Sequence, residues 1–149
     1  MEYCSPVWAG GSSTDLALLD RVQRRALWTC GIDPDNDRLC RQLAVQPLSH
    51  RRGVSSLCIL HQMVSGVAPG AMTAHCPTYF TAPRTSRSAT DAHPYRLTVS
   101  RSRTSRQAAS FLQKTVRKWN DLPPSILSGQ LQSLDHFKAQ VNQLDLSLF

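Results

Sequence analysis

Residues 48–65 read LSHRRGVSSLCILHQMVS, and their apolar side chains have the spacing of one amphipathic helix. These side chains recur three and four positions apart, which brings them to one side of a helix with about 3.6 residues per turn. Pro47 interrupts the chain before this segment, and Gly66 provides a stop after it. We therefore predict a helix over 48–65 whose apolar side is formed by Val54, Leu57, Cys58, Leu60 and Val64.

Two histidines, His50 and His61, project onto the same side of this predicted helix. No third member of a catalytic set accompanies them in the sequence, so we interpret both as packed or hydrogen-bonded side chains.

A zinc site is also disfavoured. Cys58 precedes His61 by three positions, but His75 and Cys76 are adjacent, which does not match the two spaced ligand pairs of a zinc finger. We therefore expect no metal ligands in this chain.

Three further amphipathic helices are predicted around this one. Residues 12–14 offer N-caps for a helix that runs to about Cys30, a second spans about 105–120, and Ser133 caps a third. Shorter helical turns are expected at 37–44 and near Ile126. The apolar stripes of the three longer helices are Leu16, Leu19, Val22, Ala26, Leu27 and Cys30; Ala108, Ala109, Leu112, Val116 and Trp119; and Leu134, Phe137, Val141, Leu144 and Leu148.

Four prolines exclude a long helix from residues 66–104, where Ser, Thr and Ala dominate. Residues 95–99, YRLTV, are the one part of this segment with the composition of a strand. The fold class predicted is mainly α: four amphipathic helices in a small bundle, with a long Pro/Ser/Arg-rich loop and room for one short strand. The regions are a helical region at 1–66, a basic loop or linker at 67–104, and a C-terminal helical region at 105–149 that packs on the first.

The charge of the chain points towards an anionic partner. The formal net charge is +7, and the basic residues are 14 Arg and 3 Lys. Because the guanidinium group presents a planar fork that matches phosphate oxygens, this bias favours binding to the RNA or DNA backbone. The alternative is that the basic faces are merely solvated. The candidate contact residues lie opposite the apolar stripes or in the basic run before them: Arg21, Arg24, Arg25, Trp28, Arg101, Arg103, Arg106, Lys114, Arg117 and Lys118.

Signatures of an independent enzyme are lacking in the sequence. It has no Asp-Asp pair for two-metal phosphoryl transfer, no glycine-rich phosphate loop and no nucleophile motif. We therefore expect no catalytic activity from this chain on its own and no cofactor.

The five cysteines are odd in number and irregularly spaced, and no signal peptide or membrane-length apolar run is present. We accordingly expect an intracellular protein, nuclear or cytoplasmic, with reduced thiols and no membrane contact.

Several short motifs in order resemble one protein family. They cover the chain from residue 2 to about 144. Each motif alone is weak evidence for a family, whereas the ordered set is fairly specific for one. Together they resemble the region just after the polymerase palm in the reverse transcriptases of non-LTR, or LINE-type, retrotransposons. The motifs are EYCSPVW at 2–8, LLDRVQRRA at 18–26, HRR at 50–52, LCIL at 57–60, RSRT at 101–104, SF at 110–111, WNDLP at 119–123 and FK at 137–138.

The resemblance implies that the parent protein is an RNA-directed DNA polymerase that copies element RNA onto a nicked chromosomal target. Region 1–66 would correspond to the thumb, which packs against the primer–template duplex, and the remainder to the C-terminal extension. The catalytic palm would lie upstream of Met1 in the parent, so this chain is expected to be a C-terminal fragment without polymerase activity. Its expected partners are the primer–template and the upstream polymerase domain. The alternatives are a non-catalytic helical interaction domain and an inert transposon-derived product.

Overall fold

The computed structural model describes residues 4–8, 11–81, 95–127 and 133–144. The structure is mainly helical, which confirms the predicted fold class. Within these ranges no helix combines the length and the apolar character needed to cross a bilayer. In chain order the helices are α1 (Ser5–Trp8), α2 (Ser13–Thr29), α3 (Asp37–Gln42), α4 (Leu48–Val64), α5 (Gly70–Thr73), α6 (Ser105–Ala108), α7 (Phe111–Asn120), α8 (Pro124–Leu127) and α9 (Leu134–Asn142).

Helix α4 is the element around which the others pack, with contacts to α1, α2, α5, α7 and α9. Its Leu57 and Leu60 are fully buried, and the core continues into α7 through Trp119 and into α9 through Phe137. Trp119 lies in the core, as the sequence predicted. Its indole Nε1 donates a hydrogen bond of 3.0 Å to the backbone oxygen of Tyr95, so burial leaves this polar atom satisfied.

Helices α2, α3 and α4 end in the same way. The residue two positions beyond each helix has a positive φ: 74° at Gly31, 52° at Ala44 and 72° at Gly66. The N–H of the following residue then donates back to a carbonyl five positions earlier, as from Ile32 to Leu27 at 2.9 Å. This pairing satisfies carbonyl groups that the helix leaves open at its end. The predicted stops at Gly31 and Gly66 are confirmed.

The segment predicted as a strand, 95–99, forms one isolated antiparallel bridge, between Leu97 and Tyr79. On its other side lies the side-chain amide of Asn120, at the end of α7. The Leu97 N–H donates to Asn120 Oδ1 at 2.8 Å, and Asn120 Nδ2 donates to the Leu97 oxygen at 3.0 Å. One side chain therefore binds the backbone groups that a further strand would otherwise pair with.

The single helix predicted over 105–120 is wrong, because the structure divides it into α6 and α7. Ser110 between them has φ −61° and ψ 155°, the extended conformation of a residue that precedes a helix. Serine favours this position over a helix interior, since its side chain competes for backbone hydrogen bonds. The break removes Arg106 from the helical register of Lys114, so these two residues do not share one continuous helix face.

Helix α2 is rotated relative to its predicted apolar stripe. Gln23 turns inward, where its Oε1 accepts from the Leu48 N–H at 2.9 Å and its Nε2 donates to the Gln46 oxygen at 3.0 Å. These two hydrogen bonds tie α2 to the start of α4 and set the rotation of α2 about its axis. As a result, three residues that were predicted to face inward are exposed: Val22, Ala26 and Cys30.

The end of α3 offers a test of the backbone geometry. We expect Ala44→Gly to raise the free energy of unfolding by about 1 kcal/mol, because a Cβ is strained at a φ of 52°. Gly31→Ala should lower it by a similar amount, since a Cβ there would meet no atom within 4 Å and only backbone strain remains. Urea unfolding of both variants measures these changes. A destabilised Ala44→Gly variant would contradict the left-handed conformation at residue 44.

Candidate nucleic-acid interface

Helix α2 carries the first group of candidate contact residues. All of its residues are described, and none of its side chains is buried. Trp28 is 62% exposed, and Arg21, Arg24 and Arg25 are exposed beside it. At about 100° per residue these four side chains fall within one arc of the helix. We call this surface, together with the exposed Leu18 and Val22, the outer face of α2; its six residues are Leu18, Arg21, Val22, Arg24, Arg25 and Trp28.

The three arginines of the outer face differ in their partners. Arg24 Nη2 lies 2.8 Å from Asp35 Oδ2, in an ion pair whose two side chains are both more than half exposed. No comparable ion pair is found for Arg21 or Arg25 in the part of the chain that the structure describes. An exposed ion pair contributes little to stability, but Asp35 competes with any phosphate for Arg24. Arg21 and Arg25 are therefore the cations best placed to meet an external anion.

Polar contacts hold α2 in the orientation that exposes this face. Asp20 of α2 forms an ion pair with Arg52 of α4, with 2.9 Å between Nη1 and Oδ1, and Arg52 Nη2 donates a hydrogen bond of 3.3 Å to Asp20 Oδ2. The Arg52 side chain is only 10% exposed, so solvent screens this pair less than the Arg24–Asp35 pair. Arg52 is not among the contact residues predicted from the sequence. The only signal for it was its place in the HRR motif.

The residues of the basic run before α7 are exposed as predicted. Arg101 and Arg103 precede α6, and Arg106 lies on it; all three side chains are exposed. The local backbone is ordered by hydrogen bonds, since Thr104 caps α6 by accepting from the Gln107 N–H at 3.1 Å. This segment is thus a second solvent-facing basic surface, and it does not form one helix face with the cations of α7.

The basic face of α7 was predicted to be exposed to solvent, and this prediction is wrong for two of its residues. Arg117 is exposed, but Lys114 and Lys118 are half-buried. The physical reason is that α7 packs against both α4 and α1, so that its polar side is also partly covered, and even Gln113 and Thr115 are buried. Burial, followed by the positive charges of Lys114 and Arg52, lowers the pKa of Lys118. Lys114 and Lys118 therefore do not belong to a solvated surface.

The two histidines of α4 are packed, as the sequence indicated. The His61 ring is stacked on Phe137 with 4.4 Å between ring centroids, and the centroid of Trp119 lies 6.4 Å away. Burial lowers the pKa of His61. It also lowers the pKa of His50, with a further decrease from Lys118 and an opposing increase from a hydrogen bond to Asn142.

Within the described ranges, no three His, Cys, Asp or Glu side chains come together as a group that could hold a metal ion. Cys58 is half-buried on α4, where burial raises the pKa of its thiol and nearby Lys138 lowers it by a smaller amount. Burial also raises the pKa of Cys76. Both thiols are thus held in the protonated, weakly nucleophilic form at neutral pH.

Comparison with known proteins adds no relative: no protein-family model, curated protein or solved structure matches this chain. The resemblance to LINE-type reverse transcriptases therefore stays a prediction from the ordered sequence motifs.

The packing of His61 makes the stability of the fold depend on pH. The folded state disfavours the protonated imidazole, because burial lowers the His61 pKa below its ordinary value of 6.5. The unfolded chain binds this proton more readily, so stability is complete above about pH 6.5 and decreases as the pH falls towards the folded-state pKa. One such histidine contributes a slope of at most about 1.4 kcal/mol per pH unit.

We expect His61→Phe, which keeps an aromatic ring against Phe137, to reduce this slope below pH 6.5. Urea unfolding of parent and variant at several pH values measures the change. His136→Gln, at an exposed position of α9, is the matched control. Identical slopes for the parent and His61→Phe would show that His61 does not resist protonation.

Proposed function

We propose that this chain binds nucleic acid through the outer face of α2, by contacts to the phosphate backbone that do not depend on base sequence. The observation that carries the proposal is the exposure of this face. An indole that is 62% exposed lies among exposed arginines, on a helix whose side chains are nowhere buried. A large aromatic ring left in solvent costs hydrophobic free energy, which a partner would recover.

The chemistry of the face fits a phosphate backbone. Guanidinium groups form two-pronged, charge-assisted hydrogen bonds with phosphate oxygens, and Arg21 and Arg25 are available to do so. Such contacts position a protein on nucleic acid without reading its sequence. The Trp28 ring can stack on an unpaired base, which every base permits because each has a π-face. The net charge of +7 adds long-range attraction during the approach.

The resemblance to LINE-type reverse transcriptases extends this proposal to a biological setting. Arg21, Arg24 and Arg25 lie within the LLDRVQRRA motif at 18–26, which resembles the start of the LINE-type thumb region. In that setting the partner is the primer–template duplex, and the polymerase domain of the parent protein supplies the chemistry. In that setting this chain binds the duplex and contributes no catalytic residue. The proposed site of action is intracellular, in the nucleus or the cytoplasm, where retroelement RNA is copied or assembled.

The dependence of binding on salt tests the phosphate contacts. For a duplex, the logarithm of the binding constant should fall linearly with the logarithm of salt concentration, by about 0.9 per phosphate neutralised. Replacing both Arg21 and Arg25 by Gln should flatten this slope by up to about two units. Helix content should hardly change, because Gln and Arg have similar helix propensities. Replacing Arg24 should have a smaller effect, since Asp35 already pairs with it.

The matched control is the double variant Arg38→Gln/Lys138→Gln. It removes the same net charge from exposed positions on α3 and α9, neither of which belongs to the outer face of α2. Its slope should stay within experimental error of the parent slope. Equal slopes for the parent and Arg21→Gln/Arg25→Gln would mean that these arginines are only solvated, and the proposal would fail.

A second candidate function is docking of a protein partner, and the exposed apolar residues favour it. Leu18 is 51% exposed and Val22 is 53% exposed on the same face. An open groove of about 850 Å³ beside Arg24, with Leu27 and Leu48 in its lining, adds apolar surface nearby. A complex of this kind would be held by apolar burial, so its affinity would change little with salt. A partner bound at high salt, with loss of binding in Leu18→Ser and Val22→Ser, would support it over nucleic acid.

A further inference from the structure

The hydroxyl of Thr104 is bonded differently from those of three threonines within helices. Thr29, Thr73 and Thr115 each donate the hydroxyl hydrogen to a backbone oxygen three or four residues earlier, at 2.6 to 2.9 Å. Thr104 Oγ1 instead accepts from the Gln107 N–H at 3.1 Å, as the cap of α6. The side chain is exposed, and its hydroxyl hydrogen finds no acceptor among the described residues. Thr104 therefore presents a proton that an external base can remove.

Three exposed arginines flank this hydroxyl in the sequence. Arg101 and Arg103 precede Thr104 by three and one positions, and Arg106 follows it by two. We call these three arginines the second basic surface. Among the described residues, none of the three has an ion-pair partner. A hydroxyl with such flanks suits an enzyme whose cleft carries carboxylates, because charge complementarity between a kinase and its substrate sets which sites are chosen.

The backbone around Thr104 can enter an enzyme cleft without disturbing the core. Residues 98–104 belong to no helix, and Thr104 itself is extended, with φ −130° and ψ 156°. Helix α6, which follows, has four residues and no buried side chain. A helix this short is only marginally stable, so unwinding it exposes no core residue and costs little. The segment thus has the accessibility that an enzyme substrate needs.

We propose that Thr104 is a phosphorylation site for a protein kinase whose substrate cleft carries carboxylates. Thr104 Oγ1 attacks the γ-phosphorus of ATP, the bond from that phosphorus to the bridging oxygen breaks to release ADP, and the hydroxyl proton passes to a carboxylate of the kinase. The product adds about 1.5 to 2 negative charges near neutral pH, which offsets much of the charge of the second basic surface. The site uses no residue of the outer face of α2, so it does not rest on the proposed function.

The test is phosphorylation of the full chain with ATP and magnesium by the catalytic domain of protein kinase C, which selects hydroxyls with basic flanks. Fragment mass spectrometry locates the phosphate. We expect it on Thr104, and we expect none there with casein kinase II, which selects acidic flanks. Thr104→Ser should still be modified at position 104, because serine keeps the hydroxyl and the capping oxygen. Ser105→Ala removes the neighbouring exposed hydroxyl and should leave the phosphate on Thr104.

We expect Arg101→Gln/Arg103→Gln to lower kcat/KM for modification of Thr104 at least about tenfold, since two charge-assisted contacts to the kinase are lost. Arg38→Gln/Lys138→Gln, which removes the same net charge from exposed positions on α3 and α9, should leave kcat/KM unchanged. An absence of phosphate on Thr104 in the parent overturns the proposal, as does an equal kcat/KM for the parent and Arg101→Gln/Arg103→Gln or an equal loss in both double variants. Failure of the salt-slope test on α2 would leave these outcomes unchanged.

Discussion

The structure depends on the burial of one side of α4 against α7 and α9. Leu57 and Leu60 belong to one buried core with Trp119 and Phe137, whose rings lie 5.8 Å apart between centroids, and the His61 ring is stacked on Phe137 beside them. Each large side chain buried here contributes on the order of 2 kcal/mol of hydrophobic free energy, so this cluster is the main source of stability. The positions of the remaining helices are fixed by the contacts that they make with this core.

Distance from the centre decides which basic residues are exposed. Helix α7 packs against both α4 and α1, so Lys114 and Lys118 are half-buried. Helix α2 is tied to α4 by polar contacts, by Gln23 to the start of α4 and by Asp20 to Arg52. Polar contacts of this kind fix an orientation while burying little apolar surface. They leave the opposite side of α2, including Trp28, open to a partner.

The basic residues of α2 and α7 therefore differ in physical character. The arginines on the outer face of α2 are exposed, and at about 0.1 M salt their field decays within roughly 10 Å. Such a face suits rapid, reversible and sequence-independent contact with a long polyanion. Lys114 and Lys118 are half-buried, so solvent screens their charges less than those of the arginines on α2.

The sequence by itself determined the helical fold class, most helix limits and the packing of Trp119 and both histidines. These follow from local rules: apolar spacing, caps and the glycines at 31 and 66 act within a few residues of chain. Only the tertiary structure decided the break at Ser110, the rotation of α2 and the half-burial of Lys114 and Lys118. A helical pattern shows which residues share a side, but the depth to which each side is covered is set by neighbouring helices that are distant in sequence.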